Sequence, residues 1–163
     1  MKITITGYHF TNSTLRNGDP IPKIGTWLKH EGKVIPCETG LHMSVEPFDA
    51  LTYAPGNILH MVKLRGNLMS HGNPIDKWAG SERMIIKSID ATDLLRQFAR
   101  DCALSVVHLW NAPEIVVKYL KTGNESIRTA AGEAARAAAW AAWEAARAAQ
   151  RKNFNALVEK AFH

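Results

Sequence analysis

Three widely separated side chains are of types that could act together on a ribose-bearing ligand: an imidazole at His9, a phenol at Tyr53 and a carboxylate at Glu82. His9 lies in the strand-like Tyr8-His9-Phe10-Thr11, where an imidazole followed by a small polar residue can hold a ribose hydroxyl. Tyr53 brings an aromatic ring to the end of Ala50-Leu51-Thr52-Tyr53-Ala54, and Ser81-Glu82-Arg83 sets a carboxylate just ahead of an apolar strand. Each has a plainer structural role. His9 then serves as a polar strand-end residue, Tyr53 as a core ring with a surface hydroxyl, and Glu82 as a solvated partner of Arg83.

Other chemistries find less support. Cys37 and His42 are separated by four residues, and His60 and His71 follow. One Cys-x4-His pair falls short of the two close pairs of a structural zinc site, so no metal is expected. The glycine loops of dinucleotide-binding and P-loop proteins are absent, as is a nucleophile elbow around any Ser or Cys.

Short strands broken by turns must position the candidates. Ile3 and Ile5 alternate with Thr4 and Thr6, which predicts a half-buried strand ending near Tyr8-His9. Asn17-Gly18-Asp19-Pro20 and Glu31-Gly32-Lys33 are turn sequences, with a short strand expected over Ile24–Leu28. A brief helix is expected from Ser44 to Ala54, capped by Ser44, with Pro47 in its first turn and Pro55-Gly56 ending it. Ile58–Leu64, apolar on both faces, reads as a central strand, and Met84-Ile85-Ile86 opens another that runs towards Ile89.

After Asp90 the apolar period changes from 2 to about 3.6. Leu94, Leu95, Phe98, Ala99, Cys102 and Ala103 line one side of a helix with Asp90 or Thr92 as its cap. Asn111-Ala112-Pro113 breaks it, and Val116, Val117 and Leu120 belong to a second, shorter one. From Thr129 to Ala149, 13 of 21 residues are alanine. Glu133-Ala-Ala-Arg136 recurs eleven residues later as Glu144-Ala-Ala-Arg147, and three helical turns per repeat put both copies on one face. Trp140, Trp143, Phe154, Leu157, Val158 and Phe162 then form a stripe, with Thr122 and Glu125 at capping-box spacing ahead of it. Unbroken from Glu125 to Ala161, this helix would measure roughly 55 Å at about 1.5 Å per residue. Gly132 is its weak point, worth about 1 kcal/mol against alanine.

These elements predict an α+β protein: a small mixed or antiparallel sheet domain over 1–89, a helical segment over 90–121 packed on it, and an Ala-rich amphipathic helix over 122–163. The length of 163 residues suits one domain with an appendage. Neither a signal peptide nor a membrane-spanning run is present, and two cysteines fit a reducing compartment, so a cytoplasmic location is expected. The formal charge of +5 is spread out; the densest cluster, Arg147, Arg151 and Lys152, lies close to Glu144 and Glu159. Nucleic-acid binding is therefore not expected.

Taken together, the Tyr-His-x-Thr strand, the Gly40-Leu41-His42 turn ahead of Ala50-x-x-Tyr53-Ala54, the apolar strand and Glu82 resemble the ADP-ribosyltransferase layout. That resemblance, loose and confined to about residues 2–89, implies a mono-ADP-ribosyltransferase with NAD as cofactor. Under it His9, Thr11 and Ser44 hold the cofactor, with His9 on the adenosine ribose. Tyr53 stacks on nicotinamide, and Glu82 supports the oxocarbenium-like transition state. The block order Pro36-Cys37-Glu38-Thr39-Gly40-Leu41-His42, Tyr53-Ala54, Phe98-Ala99-Arg100-Asp101-Cys102-Ala103 and the Ala/Trp/Arg tail also resembles an uncharacterised family of bacteriophages and bacteria. That second resemblance implies phage or prophage origin; together with the tryptophan stripe it gives the alternative of a non-enzymatic accessory or anti-defence protein that docks on a host protein or self-associates through Trp140, Trp143, Arg147 and Phe154.

Overall fold

The computed structural model describes residues 3–144. The chain forms two compact units, the first ending at Leu95 and the second beginning at Arg96. Among the described residues the first holds seven strands and a short helix: β1 (Thr4–Thr11), β2 (Trp27–Lys29), β3 (Leu41–Met43), α1 (Pro47–Thr52), β4 (Ile58–Arg65), β5 (Met69–His71), β6 (Lys77–Gly80) and β7 (Glu82–Asp90). They build two antiparallel sheets, one in the order β1-β4-β7-β2 and one in the order β3-β6-β5. The fold is α+β, as the change of period predicts.

β4 occupies an interior position, between β1 and β7. Its alternation is sharper than the sequence suggests: His60, Val62 and Leu64 are buried, whereas Met61 and Lys63 are exposed. Val62 and Leu64 lose all contact with solvent in a core shared with Met43 and Ile85. Each such side chain contributes about 1.5–3 kcal/mol. A second cluster gathers Phe10, Ala50 and Ala91, with Tyr8, Leu59 and Leu95 against it, on the opposite side of β1.

Two cap assignments are corrected. Ser44 does not cap α1; it extends β3 along the edge of β1, where its backbone exchanges hydrogen bonds with Tyr8 at 2.7 and 3.0 Å. The residue preceding α1 is Glu46, so the helix is six residues long. Gly7 makes the Ser44 crossing feasible, since a Cβ there would lie 2.3 Å from the Ser44 carbonyl oxygen. Further on, Thr122 turns back to the Lys118 carbonyl, and Asn124 caps the final helix by accepting from the Ser126 amide at 3.0 Å.

The second unit carries most of α2 (Thr92–Ser105), then α3 (Glu114–Thr122) and α4 (residues 128–144). A 3-10 turn over Glu125–Ile127 leads into α4, giving 20 helical residues from 125 to 144. Asp90 caps α2 through the Thr92 amide at 2.8 Å. The apolar stripe of α2 is not a buried seam: Leu94 is 54% and Phe98 40% exposed. Among the described residues no helix is long and apolar enough to cross a membrane.

Candidate functional site

Strand alternation sends Ile5, Gly7, His9 and Thr11 to one face of β1, and residues opposite one another across an antiparallel ladder share a face. His9 faces His60 on β4, with ring centroids 6.5 Å apart and planes 25° from parallel. His60 is 1% exposed and fully engaged: Nε2 lies 2.8 Å from Thr11 Oγ1 and Nδ1 2.7 Å from Ser88 Oγ. The Thr11 hydroxyl donates to the Asn12 carbonyl at 2.8 Å, so its oxygen accepts from Nε2–H and leaves Nδ1 to accept from Ser88. Burial, followed by the nearby Arg83, holds the pKa of this imidazole below the usual histidine range, which favours this neutral form.

Arg83 comes from β7 and is buried, which pushes its guanidinium down to about 10. Its Nη1 donates to the His42 carbonyl of β3 at 2.6 Å, tying the two sheets together. His42 itself is held below its normal range by burial and then by Lys77, Arg83, Arg16 and His30. Lys77, also buried, rests its ammonium 3.6 Å from the centre of the Tyr53 ring. His9 is lowered furthest, through burial first and then Arg83, His60 and His42. Every charge that perturbs these three imidazoles is positive, and among the described residues neither Lys77 nor Arg83 forms an ion pair.

Tyr53 stands at the end of α1, 42% exposed, where its hydroxyl donates to Asp76 Oδ2 at 2.5 Å. That hydrogen bond is the largest cause of a phenol pushed up to about 12, and it holds the Asp76 carboxyl below its ordinary value. His71 adds a contact to the same carboxylate at 3.4 Å. Asp76 is thus engaged by a phenol and an imidazole.

His9, Tyr53 and Glu82 do not gather around one cleft. His9 lies beside His60, and Tyr53 meets Lys77 and Asp76, but Glu82 belongs to the other face of the four-stranded sheet. It lies opposite Arg65, an odd number of residues along β4 from His60. Arg65, not the neighbouring Arg83, is its partner, with Nη2–Oε2 at 2.6 Å and Nε–Oε2 at 2.7 Å. The Arg65 guanidinium also lies 3.7 Å from the centre of the Trp27 ring. Thr11 shares the His9 face through His60, whereas Ser44 is buried at the β1 edge.

On α4, Trp140 and Trp143 form a tilted pair 5.1 Å apart, 64% and 49% exposed. Arg147, Phe154, Leu157, Val158 and Phe162 lie outside the described residues. No group of three or more potential metal ligands occurs among the described residues. Cys37 and His42 do meet, but through the Cys37 amide, which donates to His42 Nε2 at 3.2 Å.

Lys77 and Arg83 escape a motif search because a single cation in a strand has no periodicity. His60 does leave a trace, as a polar residue inside the apolar run Ile58-Leu59-His60-Met61.

Fold and site define a two-sheet α+β protein with a partly buried basic cluster where its sheets meet. The chain belongs to the family of a domain of unknown function (DUF7666), whose model matches residues 5–97, nearly the whole first unit. No curated protein and no solved structure matches it. The family match carries no link to ADP-ribosyltransferases or to bacteriophages.

Proposed function

We propose that the first unit binds an anionic nucleotide, with NAD as the ligand suggested by the ADP-ribosyltransferase resemblance. The observation that carries this reading is the unbalanced charge around His9, His42, Lys77 and Arg83. Buried cations ordinarily sit beside carboxylates, and here the carboxylate next to Lys77 in the chain, Asp76, is engaged by Tyr53 and His71. A pyrophosphate would supply the missing negative charge. His9 has ring nitrogens bonded to no described residue and would accept or donate to a ribose hydroxyl, while Tyr53 offers its ring edge beside Lys77.

The same geometry argues for binding more strongly than for ADP-ribosyl transfer. A transfer reaction needs a carboxylate beside the nicotinamide ribose, and Glu82 is committed to Arg65 on the other face. Calorimetric titration with NAD and ADP-ribose tests the proposal. Dissociation constants in the tens of micromolar are expected, weakened about tenfold in Lys77→Met, equivalent to about 1.4 kcal/mol. No heat from either nucleotide at millimolar concentration would refute it.

A second reading, docking on a host protein in a bacteriophage or bacterial setting, is favoured by the side-by-side exposed Trp140 and Trp143. Exposed aromatic pairs are typical anchors of protein interfaces. Recovery of a defined partner from bacterial lysate by the wild type but not by a Trp140→Ala/Trp143→Ala variant would support it, and equal recovery would count against it.

A further inference from the structure

Within the second unit, α2, α3, α4 and the turn between α2 and α3 line an open cavity of about 670 Å³, in the size range of small-molecule sites. Its walls are mainly apolar, with Val106, Trp110, Val116 and Leu120 facing Ala131 and Ala135. The exception is one ridge of α4, where Arg128, Gly132 and Arg136 follow one another at intervals of four and so share a line along the helix. Gly132 costs helix stability and is not required by close packing: a Cβ added there meets nothing nearer than Arg136 Nη1 at 3.6 Å. Its effect is to leave open surface beside the Arg136 guanidinium, one turn along the ridge from Arg128. Arg136 has no ion-pair partner among the described residues, and Arg128 has only the exposed Glu125 at 3.3 Å.

We propose that this cavity is a binding site for a single-chain amphiphile with a carboxylate head, such as a medium-chain fatty acid. The carboxylate sits over Gly132 between Arg128 and Arg136, where guanidinium donors match its geometry. The hydrocarbon tail lies against Val106, Trp110, Val116 and Leu120, releasing water from apolar surface that α2 and α3 leave uncovered. This site is separate from the basic cluster of the first unit and does not depend on what that cluster binds.

Calorimetry on the full chain with dodecanoate, and with dodecanol as the uncharged control, tests the proposal. Dodecanoate is expected to bind at micromolar concentrations and dodecanol at least about tenfold more weakly, as one charge-assisted headgroup contact implies. An Arg128→Gln/Arg136→Gln variant, altered only at exposed positions, brings dodecanoate down to the dodecanol level. Gly132→Leu, which covers that surface and is a better helix former, weakens dodecanoate binding. Equal binding of the two probes, dodecanoate affinity unchanged in Gly132→Leu, or no binding of dodecanoate at 1 millimolar, about a thousandfold above the expected range, would overturn it.

Discussion

Glu82 and Arg83 are neighbours in the chain, yet their side chains leave β7 on opposite faces of the sheet. Glu82 is clamped by Arg65 at 2.6 Å, while Arg83 reaches the His42 carbonyl, also at 2.6 Å. A strand separates adjacent side chains in this way by its pleat alone. The consequence is chemical: the carboxylate is removed from the imidazoles, and the guanidinium is left among them without a counter-charge.

Glu82 is accordingly a structural residue. Glu82→Gln should cost about 1–3 kcal/mol, because it leaves Arg65 without its charged acceptor in a partly buried pair. Nucleotide affinity should stay within about twofold of wild type, below 0.5 kcal/mol. Urea denaturation measures the first quantity and calorimetry the second. Loss of binding without loss of stability would restore Glu82 to the site.

Stability should fall on mild acidification. His9, His42 and His60 all have folded-state pKa values below the unfolded value near 6.5. The unfolded chain therefore takes up protons first, and stability present above about pH 6.5 is lost as the pH drops, by at most about 1.4 kcal/mol per pH unit for each imidazole. Urea midpoints between pH 7.5 and 5 report the slope, and His60→Gln should flatten it. An unchanged midpoint would mean that these rings protonate as freely in the fold as in solution.

Of the three tyrosines, Tyr53 should ionise late, at about 12, because its proton is shared with Asp76. Asp76→Asn removes that acceptor charge and should return the titration, followed by phenolate absorbance, towards about 10.

Gly7→Ala should be among the most damaging small substitutions. The added methyl group would meet the Ser44 carbonyl oxygen at 2.3 Å, and both partners are held by the β1 pairing. A loss of about 3 kcal/mol is expected from overpacking at a backbone contact, read as a shift in denaturation midpoint.

The sequence made β1, β2, β4 and β7, the break before α3 at Pro113 and the change to helical period legible, since each is written in local alternation or in a proline, whereas the three- and four-residue strands of the second sheet are too short to show a period. What it left unreadable was orientation between strands. The face assigned to Glu82 depends on the β4–β7 register and on the irregularity between Met61 and Val62, neither of which has a local signal. For a related reason the cap-like position of Ser44 ahead of Pro47 is overridden by pairing with Tyr8, 36 residues earlier. Thr122 was displaced by Asn124, because Gly123 ends α3 in the left-handed conformation and moves the start of the next helix two residues on.

Calorimetry of NAD binding at pH 6, repeated in two buffers of different ionisation enthalpy, tests the uncompensated basic cluster most directly. An anion entering among imidazoles held neutral by burial first and then by neighbouring cations offsets the cationic part of that shift and raises their pKa values, so binding is predicted to be accompanied by proton uptake. The uptake should be diminished in His9→Gln. Binding with no proton exchange, or no binding at all, would contradict the account.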